Sequence, residues 1–242
     1  MEQVVDERDI SAQRKWLDTQ RAEAAVSMFE KRRINAQYVA NRKAALAAIM
    51  AMIPEGASVA RADSITLDQV EVMETLRARN RNKIFWAQEK DSYGNALIPD
   101  LEERMNMQRQ SFFADVFLTG TNAITLDGKI VATDGLGNRV APIIFGPKKV
   151  IVAVGINKLV RDVDEARARI RDTCAPMNAR RHFEMHHRPW YGDIPCVKTG
   201  ACPEEGCFHE RRICSSTIIV ESVQIAYQGR MNVVIIGEDL GI

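Results

Sequence analysis

The sequence predicts an α/β protein with a mostly parallel sheet flanked by helices, preceded by an N-terminal helical segment. Three observations predict this. Strand-like and helix-like segments alternate between residues 57 and 118. Residues 149–154 (KVIVAV) form an almost unbroken apolar run, as a strand covered on both faces requires. Residues 8 to about 52 contain no glycine or proline and place apolar side chains at roughly helical spacing.

The N-terminal stretch reads as two helices broken near residues 33–35, and Pro54-Glu55-Gly56 stops it. This suggests a helical segment over 1–54 and an α/β domain over 55–242. Within that domain, 57–60 is a strand candidate. Ser64 or Thr66 is placed to cap a helix running to about Arg79, with Asp68 and Glu71 in its first turns. Residues 83–87 (KIFWA) form a second strand candidate, 99–110 a second helix and 115–118 a third strand. Residues 123–126 and 129–132, joined by Asp127-Gly128, carry a hairpin signal of the type I′ kind. Residues 143–145 form a buried candidate, and 162 to about 174 a charged helix that Pro176 is expected to end. Residues 175–216 lack periodicity and read as a long functional loop. Strands over 216–223 and 232–237 close the chain.

Composition narrows the function. At 46% apolar residues, the 242-residue chain can bury an ordinary core. A formal net charge of +1 supplies no global field to attract nucleic acid. No apolar run approaches the roughly 18 residues of a membrane span. The acidic N-terminus lacks the apolar core of a secretory signal. The expected compartment is therefore cytoplasmic and reducing, where disulfides are rare.

Five cysteines in such a compartment need another explanation. Four of them, Cys196, Cys202, Cys207 and Cys214, fall within the 195–215 segment, separated by five, four and six residues. Thiolates are soft ligands suited to zinc, copper(I) or iron–sulfur clusters. Pro195, Gly200, Pro203 and Gly206 provide the turns that let several converge. The spacing differs from paired C-x-x-C zinc knuckles and only loosely approaches a plant-type cluster motif. An iron–sulfur cluster, a [4Fe–4S] above all, is favoured, with structural zinc as the alternative. Either three or four of the cysteines are ligands, and with three an open position would act as a Lewis acid. His182 and His186 are four residues apart, and His187 and His209 lie nearby. Each reads individually as a structural or surface histidine. Cys174 reads as a small buried apolar group.

A second candidate site is rich in glycine. Gly120-Thr121-Asn122 follows one predicted strand, Asp134-Gly135-Leu136-Gly137-Asn138-Arg139 follows another, and Lys148 precedes the apolar strand. Ligands of open α/β sheets bind off strand carboxyl ends. Arg139 and Lys148 suit a carboxylate or phosphate, and Asp134 is a candidate general base. Neither a Walker A loop nor a complete dinucleotide fingerprint is present.

These same blocks carry a resemblance. GTNAITLDGKIV from Gly120, DGLGNRV from Asp134, IFGPKKVIV from Ile144, GINKLV from Gly155 and APMNA from Ala175 resemble LUD-domain, or lactate utilization, proteins. The tail from Pro195 to Ser215 is similar to that family's cysteine-bearing subset. The resemblance implies a NagB/RpiA/CoA-transferase-like fold and an association with lactate oxidation through iron–sulfur electron transfer. Two departures stand out. Arg61-Ala62-Asp63-Ser64 occupies the place of a Gly-Gly-Ser stretch, and the ferredoxin-like motifs of the larger family subunit are absent. The expected function is an iron–sulfur enzyme, or enzyme subunit, acting on a small hydroxy or keto carboxylic acid. The alternatives are a non-catalytic accessory subunit with structural zinc and a phosphosugar- or CoA-linked enzyme. A homodimer and a redox partner subunit are expected; nucleic acid and membrane are not.

Overall fold

The computed structural model describes residues 7–91, 95–185 and 188–242. Helix α1 (Ser11–Lys31) is followed by strand β1 (Asn35–Val39) and helix α2 (Arg42–Ala51). The helical reading of 8–52 therefore misses a strand. Arg33 at φ 60° ends α1, and Asn41, whose Oδ1 accepts from Ala44 N, starts α2. The five residues between gain their ladder only from a strand nearly two hundred residues away, a signal with no local trace.

Next come β2 (Ser58–Arg61), α3 (Ile65–Gln69), α4 (Val72–Arg79), β3 (Lys83–Phe85), α5 (Leu101–Arg109) and β4 (Val116–Thr119). Ser64 caps α3 as its position predicts, accepting from Leu67 N. The single helix expected to reach Arg79 is two, because Glu71 sits at φ 61° between α3 and α4. Asp100 caps α5, accepting from Glu103 N at 2.8 Å.

Strands β5 (Ala123–Thr125) and β6 (Ile130–Asp134) form the predicted antiparallel hairpin. Its turn is not type I′. Gly128 N donates to Thr125 O and only Gly128 takes positive φ, at 82°, so the loop is a type I turn closed by a left-handed glycine. Residues 140–144 form helix α6 rather than a buried extended segment. Ile143 is buried there, but Ile144 and Phe145 face outward.

Strand β7 (Lys149–Gly155) leads to the short β8 (Leu159–Val160), then α7 (Val163–Arg169), α8 (Ala175–Glu184) and α9 (Pro195–Thr199). Strands β9 (Ser216–Val220) and β10 (Met231–Ile236) complete the chain. Pro176 does not end the helical run. Residues 170–174 form a π-helical turn, and Pro176 sits in the first turn of α8, where its missing N–H removes no helical bond. The expected long loop over 175–216 thus holds two helices.

Strands β1-β10-β7-β4-β2-β3 form one six-stranded, wholly parallel sheet, and β8-β5-β6-β9 a smaller mixed one. Alternate residues of β7 divide between the main sheet's two faces. Val150, Val152 and Val154 join a core with α1 and the small sheet, through Phe29, Ile124 and Ile130. Ile151 and Ala153 join a second core with α2, α3 and α4, through Ile49, Leu67 and Leu76. Helix α7 covers the outer face of the small sheet through Ala166. Among the described residues no helix is long and apolar enough to cross a membrane.

Candidate functional site

The carboxyl ends of β2, β4 and β7 lie side by side in the main sheet, and the segments leaving them are polar. After β2 comes Asp63, after β4 Asn122, and after β7 Lys158. The small sheet and the α7–α8 run bring Arg139, Arg169, Cys174 and Arg181 against them. Arg139 Nη2 donates to Asn122 Oδ1 at 2.8 Å and to Thr133 O. Its Nε is buried without a hydrogen-bond partner. Burial lowers its affinity for a proton, against the pull of Asp134 and Asp63. Arg169 Nη1 donates to Asn122 O at 2.7 Å and to Cys174 Sγ at 2.6 Å. Cys174 is buried as expected, but its surroundings are cationic rather than apolar. Arg181 meets Asp63 at 3.7 Å on the partly exposed side of the cluster.

Lys158 was not singled out by its sequence position. It is only 4% exposed, and its Nζ donates to Thr66 Oγ1 at 3.0 Å. Burial, then the neighbouring Arg169 and Arg139 guanidinium groups, push it down to about 7, with Cys174 opposing. The available signal was a lysine lodged between two apolar strands.

The glycine-rich loops fall partly in this cluster. Gly120 lies against Ser64, where a β-carbon would stand 2.6 Å from the hydroxyl. Thr121 is buried and donates to Val131 O. Asp134 accepts from the backbone N–H groups of Gly137, Arg139 and Val140, which fixes the loop holding Gly135, Gly137 and Asn138. Its carboxylate is occupied by this turn. Lys148 stands apart from the others. It pairs with Asp115 at 2.7 Å at the amino edge of the main sheet, opposite to Arg139, and holds the Asp115 carboxyl well below its usual range.

The second cluster packs beside the first. Helix α9 begins at Pro195 and ends at Gly200, which takes the left-handed cap at φ 76°. Ala179 of α8 with Ile194 and Val197 makes a small apolar core beneath it. Above that core Cys196, Cys202, Cys207 and Cys214 line a single cavity of about 20 Å³, room for roughly one water. The sulfurs feel one another. Burial, then Cys214, Cys207 and Cys202, push Cys196 up to about 11, and Cys202 is raised for the same reasons. Arg171 also lines the cavity, and Arg212 donates to Cys207 O at 2.6 Å and Cys214 O at 2.9 Å. Among the described residues no three His, Cys, Asp or Glu side chains are drawn together closely enough to hold a single ion. Soft thiols around one cavity, with two guanidinium groups to balance thiolate charge, are nonetheless a donor set that suits iron–sulfur ligation.

The two described histidines, His182 and His209, do not line this cavity. His182 stacks on Tyr191, and His209 Nδ1 accepts from Arg211 N. His186 and His187 lie outside the described residues. The two clusters touch directly, since Ser215 N donates to Asp134 O and Gly135 backs onto Ile213.

Two stacked sheets with a polar cluster at the strand carboxyl ends define a layered α/β protein with a cysteine-bearing appendage. The chain belongs to the LUD domain family, which matches residues 22–236. Among solved structures, a DUF162 family protein from Deinococcus radiodurans is 10% identical with a TM-score of 0.48, covering 92% of this chain and 97% of that one. No curated protein sequence matches the chain.

Proposed function

We propose that this LUD-domain chain is the iron–sulfur-bearing enzyme, or enzyme subunit, of a lactate-utilization-like reaction on a small hydroxy or keto carboxylic acid. One observation carries the reading: four cysteines scattered over the 195–215 segment line one cavity beside a cationic cluster. Cys196, Cys202, Cys207 and Cys214 would hold the cluster. When bound, it supplies a one-electron redox centre or, with one iron open, a Lewis acid. The chain's own residues bind and orient. The Arg139 and Arg169 guanidinium groups are suited to a carboxylate. The chain has no further cysteine cluster for onward transfer, so a redox partner subunit is part of this reading, and so is a homodimer.

A second reading is a structural zinc site in an accessory subunit. The cavity's small size favours it. Against it, zinc–thiolate bonds of about 2.3 Å would draw the sulfurs onto one point, and no three ligands converge in that way among the described residues. Anaerobic purification with iron, sulfide and zinc analysis separates the two. Iron and sulfide in comparable amounts, lost in Cys202→Ser, support the first. Zinc near one per chain without sulfide supports the second. A metal-free anaerobic preparation that takes up neither metal removes both.

A further inference from the structure

Four cations gather at the carboxyl ends of β2, β4 and β7: Arg139, Lys158, Arg169 and Arg181. Two carboxylates accompany them, Asp63 and Asp134. Asp134 accepts three backbone N–H groups, and Asp63 meets Arg181 at the rim. Among the described residues no carboxylate bonds Lys158, and the charged groups acting on it are Arg169, Arg139 and Cys174. Arg61, the nearby buried arginine, is neutralised by Asp68 at 2.6 Å. Buried cations without counter-charge are strongly unfavourable, and proteins retain them where an anion completes the set. The buried, unpartnered Nε of Arg139 is a further unmet donor in the same cluster.

We infer that Lys158, Arg139 and Arg169 form a binding site for the carboxylate of a small organic acid. Arg169 offers a planar guanidinium already oriented by Asn122 O, Arg139 offers its free Nε, and Lys158 offers a desolvated ammonium. Thr66 holds the Lys158 amine while no anion is bound. The Arg181–Asp63 pair, in which Asp63 is the more exposed partner, marks the solvent side, and opening it admits the acid. The choice of carboxylate over phosphate rests on the function proposed above; the site itself does not.

The test is calorimetric titration of the full chain with pyruvate and, separately, with inorganic phosphate. Wild-type protein is expected to bind pyruvate, and Lys158→Met to bind it at least tenfold more weakly while melting at a higher temperature, because a buried charge has been removed. Arg169→Gln reads the same site should Lys158→Met fail to fold, and it too is expected to weaken binding at least tenfold. No heat from pyruvate, or binding unchanged in the folded variants, overturns the site. Phosphate binding in place of pyruvate overturns the carboxylate assignment. Metal content is measured on the same preparations. A chain with no metal that still binds pyruvate refutes the cluster and keeps this site, and a metal-bearing chain that binds none does the reverse.

Discussion

Arg169 and Cys174 are joined across one π-helical turn, the guanidinium Nη1 donating 2.6 Å to the thiol while also holding Asn122 O. The turn faces two ways. Arg169 and Cys174 point to the cationic cluster, whereas Arg171 and Ala175 line the cysteine cavity. Wide turns of this kind are frequent at functional sites, and here one places side chains in both clusters.

Lys158 makes stability depend on pH. Below about pH 7 it is charged in the folded and unfolded chain, and the buried charge destabilises fully. Between about pH 7 and its ordinary value of 10.5, the folded chain has released the proton and the unfolded chain has kept it, so stability rises with pH. Arg139, Arg169, Cys174 and Thr66 make up its surroundings. Denaturant unfolding is expected to show roughly 2–3 kcal/mol gained on this account between about pH 6 and 9. Lys158→Met should lack that gain, and parallel curves for the two proteins would refute it.

Asp134 is expected to act as a turn organiser. Asp134→Ala leaves three N–H groups without their acceptor and should lower stability by roughly 2–3 kcal/mol. Asp134→Asn keeps one side-chain oxygen and should lose about half as much. Equal stability of both variants to wild type in thermal unfolding would contradict this role.

Ile194 anchors the small core under the cysteines at 1% exposure. Ile194→Ala should cost about 2–4 kcal/mol, and the loss should be local. Hydrogen exchange is expected to accelerate over 189–199 and to remain unchanged in β7. Uniform acceleration across both would mean the appendage shares the main core's cooperativity.

Gly135 tests the contact between the two clusters. A β-carbon there would stand 3.3 Å from Ile213 Cα and 3.4 Å from Arg212 O. Gly135→Val is expected to displace the 212–214 segment and raise the alkylation rate of the buried Cys207 several-fold, read by mass spectrometry. An unchanged rate would show that the segment moves freely of the loop.

Much of the fold was legible because its signals are local. The apolar run of β7, the capping residue Ser64 and the β5–β6 hairpin each carry their own cause within a few residues. Strand β1 was hidden because its partner is distant, and α8 because Pro176 is accommodated by a π turn whose geometry leaves no sequence mark. The four cysteines were legible as a group. Arg139 was found and Lys158 was not, since a lysine's value here comes from three neighbours supplied by separate elements. Lys148 looked equivalent to Arg139 in the glycine-rich stretch, yet the strand that follows it carries the chain from one sheet edge to the other.

The order β1-β10-β7 has a consequence for how the chain is made. The strand from the far end of the sequence is inserted between two earlier ones, and Asn35 meets Asn232 across that seam. While residues before 231 are being synthesised, β1 and β7 have no neighbour on that side. Their open edges must wait for the last strand to arrive. Closure over so long a loop is slow relative to local pairing. A nascent chain stalled before β10 should therefore be a strong client for chaperones, and removing β10 alone should leave a protein that aggregates rather than a slightly smaller folded one.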